Sequence, residues 1–209
     1  MPTSLRFDNM QIRLASLRHT FLPSDAEMDP TGNYTQHIYD RTTAYRLLAH
    51  AEFESFIEDI IKYTVKISLD KWSSHRVVSL PLVCISASYE GSDRINAFTD
   101  NKMKKFPLSI NTYINKAYSH FEHNIGNNNG IRTKNLMSLL VQVGIEFDDL
   151  DATWVGAVDA FGAHRNVIGH NSGHIAYQAD PKTALDAVNK IIEGLREVDE
   201  KLSHLRRNI

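Results

Sequence analysis

The chain has 209 residues, and 42% of them are hydrophobic, which is enough to bury a core within one domain. Its formal net charge of −2 argues against a strongly basic protein that binds nucleic acid without specificity, so any RNA contact must rest on local basic patches. The single cysteine argues against a disulfide framework. A signal-peptide core and an apolar run of about 18 residues are both missing, so we expect a cytoplasmic protein.

The first part of the chain is expected to differ from the rest. Residues 1–34 are predicted to be an N-terminal segment and linker, and residues 35–209 to be the main helical domain. A weak apolar pattern predicts a short amphipathic helix over about 8–20. It is followed by loop-forming residues: Pro23, Asp25, Asp29, Pro30, Gly32 and Asn33.

The strongest periodic signal in the chain predicts a long core helix over about 35–68. Its apolar residues keep helical spacing through four or more turns: Tyr45, Leu48, Ala49, Phe53, Phe56, Ile57, Ile60, Tyr63 and Thr64. On a helical wheel, Glu52 falls near the middle of this stripe, whereas Glu54 and Glu58 are expected to point to solvent. Glu52 is therefore a candidate inward-facing charge.

Residues 70–109 have less clear periodicity. The apolar run at 77–85 is compatible with a strand or with a short buried helix, and Pro81 interrupts it. A polar stretch with a small basic cluster follows: Lys102, Lys104 and Lys105. We expect an irregular insertion between core helices here.

Two further helices are predicted over about 110–125 and 134–143. The glycine- and asparagine-rich stretch 126–130 separates them, and a Walker-type phosphate loop is excluded because Ile131 and Arg132 stand where its Lys-Ser/Thr pair would be. Gly144 closes the second helix.

The next helix contains the most unusual pattern. After the capping residues Asp148, Asp149 and Asp151, an apolar stripe follows a 3.6-residue period: Trp154, Val158, Phe161 and Ile168. Arg165 falls on the same stripe. An unpaired buried charge costs several kcal/mol or more, so this guanidinium must have a partner or open onto a cleft. His170 follows five residues later, between Gly169 and Gly173, where we expect the helix to end.

The last helix is predicted from Asp180, an N-cap followed by Pro181, to about Arg206. Together these segments predict an all-α fold, a bundle of four to five core helices with an irregular insertion at about 70–109.

Ten histidines raise the question of a metal site. Two groups have suggestive spacing: His164, His170 and His174, and the pair His120 and His123. His170 and His174 share a helix face only if the helix continues through Ser172 and Gly173, and a second Glu-x-x-His is missing for a di-iron bundle. A structural alternative also exists for Arg165, which would then neutralise Glu52 in a buried ion pair while His170 caps a helix.

Arg165-Asn166-Val-Ile-Gly-His170 resembles the signature of the HEPN superfamily of all-α ribonucleases, an Arg-x4-6-His motif with a polar residue directly after the Arg. The stretch 48–59 also resembles the first core helix of the RiboL-PSP-HEPN branch. The resemblance implies RNA cleavage without a metal or other cofactor, in a cleft formed by a homodimer. It implies His170 as base and acid, Arg165 as the phosphate clamp, Asn166 as a ligand of the phosphate or of His170, and Glu52 as the residue that holds Arg165.

The same resemblance suggests a toxin–antitoxin or antiviral defence system, with an antitoxin or defence protein as partner. Ser172 stands where related toxins carry the tyrosine that their antitoxin modifies, so that mode of control is not expected. The alternative is a non-catalytic HEPN module that binds RNA or a partner protein.

Overall fold

The computed structural model describes the backbone of residues 3–99, 110–170 and 179–209, and the side chains of residues 3–89, 110–163 and 179–209. Every regular element in these ranges is helical, and no strand occurs among them, which confirms the all-α prediction. The α-helices are α1 (Leu5–Phe21), α2 (Gln36–His75), α3 (Leu80–Thr99), α4 (Ile110–Gly126), α5 (Thr133–Leu140), α6 (Ala152–His170) and α7 (Pro181–Arg207). Short 3-10 turns lie at Asp25–Glu27, Val141–Val143 and Phe147–Asp149.

Helix α1 packs against both α2 and α7 along one buried side: Phe7, Met10, Leu14 and Leu17. Its first turn is fixed by two capping contacts. The Ser4 hydroxyl accepts a hydrogen bond from Phe7 N at 3.1 Å, and the buried carboxylate of Asp199 on α7 accepts one from Ser4 N at 2.7 Å. The beginning of α1 is therefore tied to the far end of the sequence.

Helix α2 is the central element and is longer than its apolar pattern predicted. It ends only at His75, and its C-cap Arg76 is a non-glycine residue in the left-handed region with φ of 58°, whose N–H donates to Trp72 O. The Arg76 guanidinium lies over the Trp72 ring and donates to Asn111 Oδ1 at 2.7 Å. These side-chain contacts accompany the change of direction into α3.

The prediction of an irregular insertion is wrong for residues 80–99, which form α3. Pro81 does not break this helix because it occupies the first turn, where its missing N–H would have no partner within the helix. The basic cluster predicted at Lys102, Lys104 and Lys105 lies outside the described residues.

Helices α6 and α7 begin at the predicted signals. Asp151 Oδ1 accepts from Trp154 N at 2.7 Å at the start of α6, and Asp180 accepts from Thr183 N at 2.7 Å at the start of α7. The two helices approach closely because Gly194 leaves room for the Trp154 indole, whose ring lies 2.3 Å from where a Cβ would be. The indole N–H donates to Ile191 O at 3.2 Å, which satisfies this buried polar group.

Candidate functional site

The backbone places the Arg-x4-His motif in the last turns of α6. Arg165 and Asn166 are helical, and His170 is the last helical residue, as predicted. The side chains of residues 164–170 lie outside the described residues, as do Ser172, His174 and Tyr177. Phe161, four positions before Arg165, is the last described member of the apolar stripe and shows where this face of α6 packs.

The direction of α6 follows from its neighbours. Helix α7 begins close to the start of α2, because Asp180 lies beside Gly32, whose carbonyl accepts from Tyr39 Oη at 2.7 Å. It ends near Thr64, whose hydroxyl accepts from Arg206 at 3.0 Å, so α7 runs parallel to α2. Trp154, at the start of α6, contacts Ile191 and Gly194 near the middle of α7. A parallel α6 would therefore end roughly 40 Å from the start of α7, farther than the connection 171–180 reaches, so α6 is antiparallel to α7. The motif therefore lies toward the end of the bundle where α2 and α7 begin.

Phe161 packs against polar as well as apolar side chains of α2. Its ring is stacked on the His50 imidazole, with 6.3 Å between centroids and an interplanar angle of 9°, and meets Phe53 edge-on at 5.7 Å. The Arg46 guanidinium lies over the Phe161 ring, 5.2 Å from its centroid, in cation–π geometry. Arg46 and His50 are buried, with relative exposures of 6% and 3%.

Glu54 continues this arrangement by one more turn of α2. Its carboxylate lies 3.8 Å from His50 Nδ1 and accepts hydrogen bonds from the Gly130 N–H and, at 3.4 Å, from Asn128 Nδ2. The expectation that Glu54 and Glu58 face solvent is therefore wrong: both are partly buried, and Glu58 accepts from Asn128 Nδ2 at 3.0 Å. We call Arg46, His50 and Glu54, spaced four residues apart on the side of α2 that faces α6, the polar row.

The chain between α4 and α5 is fastened to α6 as well as to α2. Asp159 of α6 accepts hydrogen bonds from Arg132 Nη2 at 3.0 Å and from Thr133 N at 3.0 Å. The Arg132 guanidinium and the Thr133 N–H together hold the pKa of this carboxyl below its usual range. Gly162 permits the close approach, since a Cβ there would lie 3.0 Å from Arg132 Cγ. We call residues 127–132 the clamped loop.

Glu52, the inward charge predicted from the helical wheel, lies on a different side of α2. Its Oε1 accepts from Arg6 Nη1 of α1 at 2.8 Å, and the same guanidinium donates to Asp59 at 2.9 Å. Position 52 is about 160° around the helix from position 50 at 3.6 residues per turn. The described contacts therefore assign Glu52 to the α1 interface, and its predicted role toward Arg165 remains a prediction.

Sequence reasoning missed the polar row. Arg46, His50, Phe53 and Ile57 follow each other at steps of four, three and four, which is the pattern of a buried face. This second face was hidden because the apolar stripe beginning at Tyr45 was stronger. A helix with α1 and α7 on one side and α6 on another buries more than one stripe, as the burial of Tyr45 and His50 shows.

The described residues contain no group of three His, Cys, Asp or Glu side chains arranged to hold a metal ion. His120 and His123, expected to be ordinary surface residues, accept hydrogen bonds from the amides of Asn124 and Asn127 on the next turn. Cys84 is half-buried, and burial raises the pKa of its thiol. None of the described helices has the length and apolar character required to cross a bilayer.

Comparison with protein families gives a match to RiboL-PSP-HEPN over residues 16–204. The chain belongs to the RiboL-PSP-HEPN family. This confirms the resemblance seen in the motif, and it extends from within α1 to α7. No curated protein and no solved structure matches the chain significantly. The chain is therefore a domain of a superfamily whose members are RNase-type or RNA-binding modules and often dimerise.

Proposed function

We propose that this HEPN protein is a metal-independent endoribonuclease that cleaves RNA in a composite site at a homodimer cleft. Arg165, Asn166 and His170 carry the chemistry. The observation that supports the proposal most strongly is the position of their helix. In this member of the HEPN family, the motif residues follow Phe161 along α6. Phe161 itself packs on the buried side chains of Arg46 and His50.

Burying a charged group costs free energy, so buried charged groups near the motif are expected to serve the structure or the function. Arg46 and His50 are enclosed where α6 packs on α2, and the polar row continues into Glu54 and the clamped loop. Such an arrangement holds an α-helix at a defined position through directional contacts in addition to apolar packing. It would hold the motif residues steady relative to the RNA phosphate, as a catalytic site requires.

The chemistry follows from the residue types. The ribose 2′-OH gives its proton to the imidazole of one His170 and attacks the adjacent phosphorus. The bond from phosphorus to the 5′-oxygen breaks, and that oxygen takes a proton from the His170 of the other subunit. The products are a 2′,3′-cyclic phosphate and a 5′-hydroxyl. Arg165, with its planar fork of donors, clamps the phosphate and stabilises the added negative charge in the transition state.

The remaining residues position these groups. Asn166 hydrogen-bonds the phosphate or orients His170. The family resemblance implies that Glu52 holds Arg165, although its described partner is Arg6. Comparing Glu52→Gln with Arg6→Gln separates the two roles. If Glu52 acts on Arg165, the first variant loses cleavage and the second does not; if Glu52 serves only the α1 interface, the two variants behave alike.

We place this activity in a toxin–antitoxin or antiviral defence system, with a small antitoxin or defence protein as its partner. The basis for this setting is the resemblance in the motif. Co-expression of the chain with its neighbouring genes tests the setting, since rescue of growth by one of them would identify an inhibitor. Toxicity that no neighbouring gene relieves would count against it.

The activity is tested by incubating the purified protein with structured and single-stranded RNA in excess chelator. Wild type should cleave and leave 2′,3′-cyclic phosphate ends, whereas Arg165→Ala and His170→Ala should each lower the rate by 10²-fold or more, on the order of the loss of one catalytic group. A DNA strand of the same sequence should remain intact because it has no 2′-OH. Equal cleavage by wild type and both variants would refute the site.

The matched control for His170→Ala is His204→Ala, since His204 lies near the end of α7, where its described contact is with Asn208. This variant should cleave like wild type. Tight RNA binding by wild type with no cleavage of any RNA would instead establish the alternative, a non-catalytic HEPN module.

A further inference from the structure

A surface pocket of about 560 Å³ lies where the ends of α4 and α5 meet α3. Its described lining is made of amides, hydroxyls and two apolar side chains: Ser88, Asn124, Asn127, Met137, Ser138, Val141 and Gln142. We call it the amide pocket. None of these lining residues carries a charge, so the pocket is not suited to a phosphate or a metal ion. Its volume is within the usual range for a small-ligand site.

Gln142, which lines the amide pocket, has a buried polar atom that lacks a hydrogen-bond partner among the described residues. Gln142 has a relative exposure of 6%, and its Nε2 donates to Ser138 O at 2.7 Å. This contact fixes the amide, because the reversed orientation would place two carbonyl oxygens against each other. Within the described part of the chain, Oε1 of Gln142 has no hydrogen-bond partner. A buried acceptor of this kind is costly to leave unsatisfied, and a ligand N–H would satisfy it.

Two more amides on the rim are held in place by histidines. Asn124 and Asn127 are each oriented by a ring nitrogen one turn earlier on α4, at 3.3 Å from His120 and 2.9 Å from His123. Because an amide NH2 only donates, each ring nitrogen accepts. Fixed amides lose little side-chain entropy when they bind a ligand.

We propose that the amide pocket binds an unpaired nucleobase of the RNA substrate, a role that rests on the proposed function and adds base preference to it. Asn and Gln amides pair with the hydrogen-bonding edges of bases, and unpaired bases are recognised in this way together with contacts to their faces. Met137 and Val141 supply the apolar contact. Oε1 of Gln142 is buried in this structure, so the proposal requires the side chain to shift toward the pocket, where Oε1 accepts from an exocyclic amine or ring N–H of the base.

The clamped loop connects this pocket to the middle of α6. Asn127 lines the pocket, and the next residue, Asn128, is bonded to Glu58 at 3.0 Å. Arg132, at the other end of the loop, is bonded to Asp159 of α6. Arg165 lies six residues beyond Asp159 on α6, about 9 Å at 1.5 Å per residue. We expect an RNA strand with one base in the pocket to continue over the clamped loop and along α6 to the motif.

The experiment measures binding of four eight-nucleotide 2′-O-methyl RNA homopolymers, of A, C, G and U, at constant salt. They cannot be cleaved because the 2′-oxygen carries a methyl group. Wild type should prefer one or two of them. Gln142→Met, which keeps the length of the side chain, should lower affinity for the preferred oligomer about tenfold and flatten the differences among the four. Asn127→Ala, an exposed position at which the fold is not at risk, should weaken the same preference.

The control for the substitution itself is Gln36→Met at the exposed start of α2, which should bind like wild type. Arg165→Ala should weaken binding of all four oligomers to the same degree without changing their order, because it removes a phosphate contact. The proposal is overturned if wild type binds all four equally, or if Gln142→Met and Asn127→Ala retain the wild-type preference.

The outcomes also separate the pocket from the catalytic proposal. RNA cleavage with an unchanged base preference in both pocket variants would refute the pocket alone. Base-dependent binding that Gln142→Met abolishes, in a protein that cleaves no RNA, would support the pocket and refute the nuclease.

Discussion

The two sides of α2 use charge in different ways. On the side that faces α1, Glu52 and Arg6 form an ion pair at the edge of the interface, with about a fifth and a quarter of their side chains exposed. On the side that faces α6, Arg46 and His50 are buried, and Glu54 binds the main chain of the clamped loop. One helix thus has a partly hydrated ion pair on one side and, on the other, two enclosed polar side chains followed by Glu54, which is about as exposed as Glu52.

The difference identifies which charges are tied to the functional end of the molecule. A partly hydrated ion pair tolerates replacement, because water can solvate either partner and the net contribution is small. An enclosed polar group depends on specific neighbours, so its loss disturbs the elements that those neighbours belong to. By this criterion the side of α2 that faces α6, toward the motif, is the more constrained one.

The largest effect is expected from Phe161→Ala, which removes the ring between α6 and the polar row. The free energy of unfolding should fall by about 3–5 kcal/mol because a large cavity is left and the ring contact of Arg46 is lost. Phe7→Ala on the α1 side should cost a similar amount, measured by denaturant unfolding. RNA cleavage per folded molecule should fall only for Phe161→Ala; an equal loss in both variants would remove the functional distinction between the two sides.

A smaller effect is expected from Glu54→Gln, which keeps the shape of the side chain and removes its charge. The charge-assisted bond from the Gly130 N–H weakens, and the variant should lose about 1–3 kcal/mol of unfolding free energy. Hydrogen exchange should show faster opening of residues 127–132. Unchanged exchange in this segment would mean that Glu54 does not hold the clamped loop.

The matched change on the other side, Glu52→Gln, should cost only about 0.2–1 kcal/mol, because the ion pair with Arg6 is partly exposed. The cost should shrink further at high salt, whereas that of Glu54→Gln should change little. Thermal unfolding at low and high ionic strength makes this comparison. A loss for Glu52→Gln as large as that for Glu54→Gln would contradict it.

The smallest effect concerns the pH dependence of the Asp159 contact. The pKa of this carboxyl is lowered in the folded protein by Arg132 and Thr133, so its stabilising contribution is present above the unfolded pKa of about 3.9. That contribution is lost as the pH falls through the lower folded pKa. The stability difference between wild type and Asp159→Asn should therefore be constant near neutrality and disappear in acid, which urea titrations at several pH values would reveal.

Local signals in the sequence located most of the helices. Periodicity identified α2 and α7, and the caps at Asp151 and Asp180 were placed correctly, because a capping bond depends on residues only three positions apart. Pro81 misled the interpretation of 77–85, since a proline within the first turn of a helix and one within its interior look alike without a known helix start. The predicted length of α2 was too short for a different reason: its last turns have few apolar residues, so the periodic pattern fades before the helix ends.

In the candidate site, too, local features were predictable from the sequence and long-range contacts were not. The Arg-x4-His motif was visible as a pattern and pointed to the family, which the match over residues 16–204 confirms. The clamped loop and the amide pocket were not visible, because Asn128 and Glu54 are far apart in the chain and because Asn127 and Gln142 line one pocket only when α4 and the turn at 141–143 both pack against α3.

The sequence by itself therefore determined the all-α architecture and the position of the motif at the end of α6, since these depend on short-range periodicity and spacing, and the resemblance of the motif pointed to the family. Only the tertiary structure decided that Glu52 binds Arg6 on the α1 side and that Arg46, His50 and Glu54 form the polar row on the other. The physical reason is that a helical wheel reports the angle of each residue, whereas burial depends on which neighbouring helix occupies that angle.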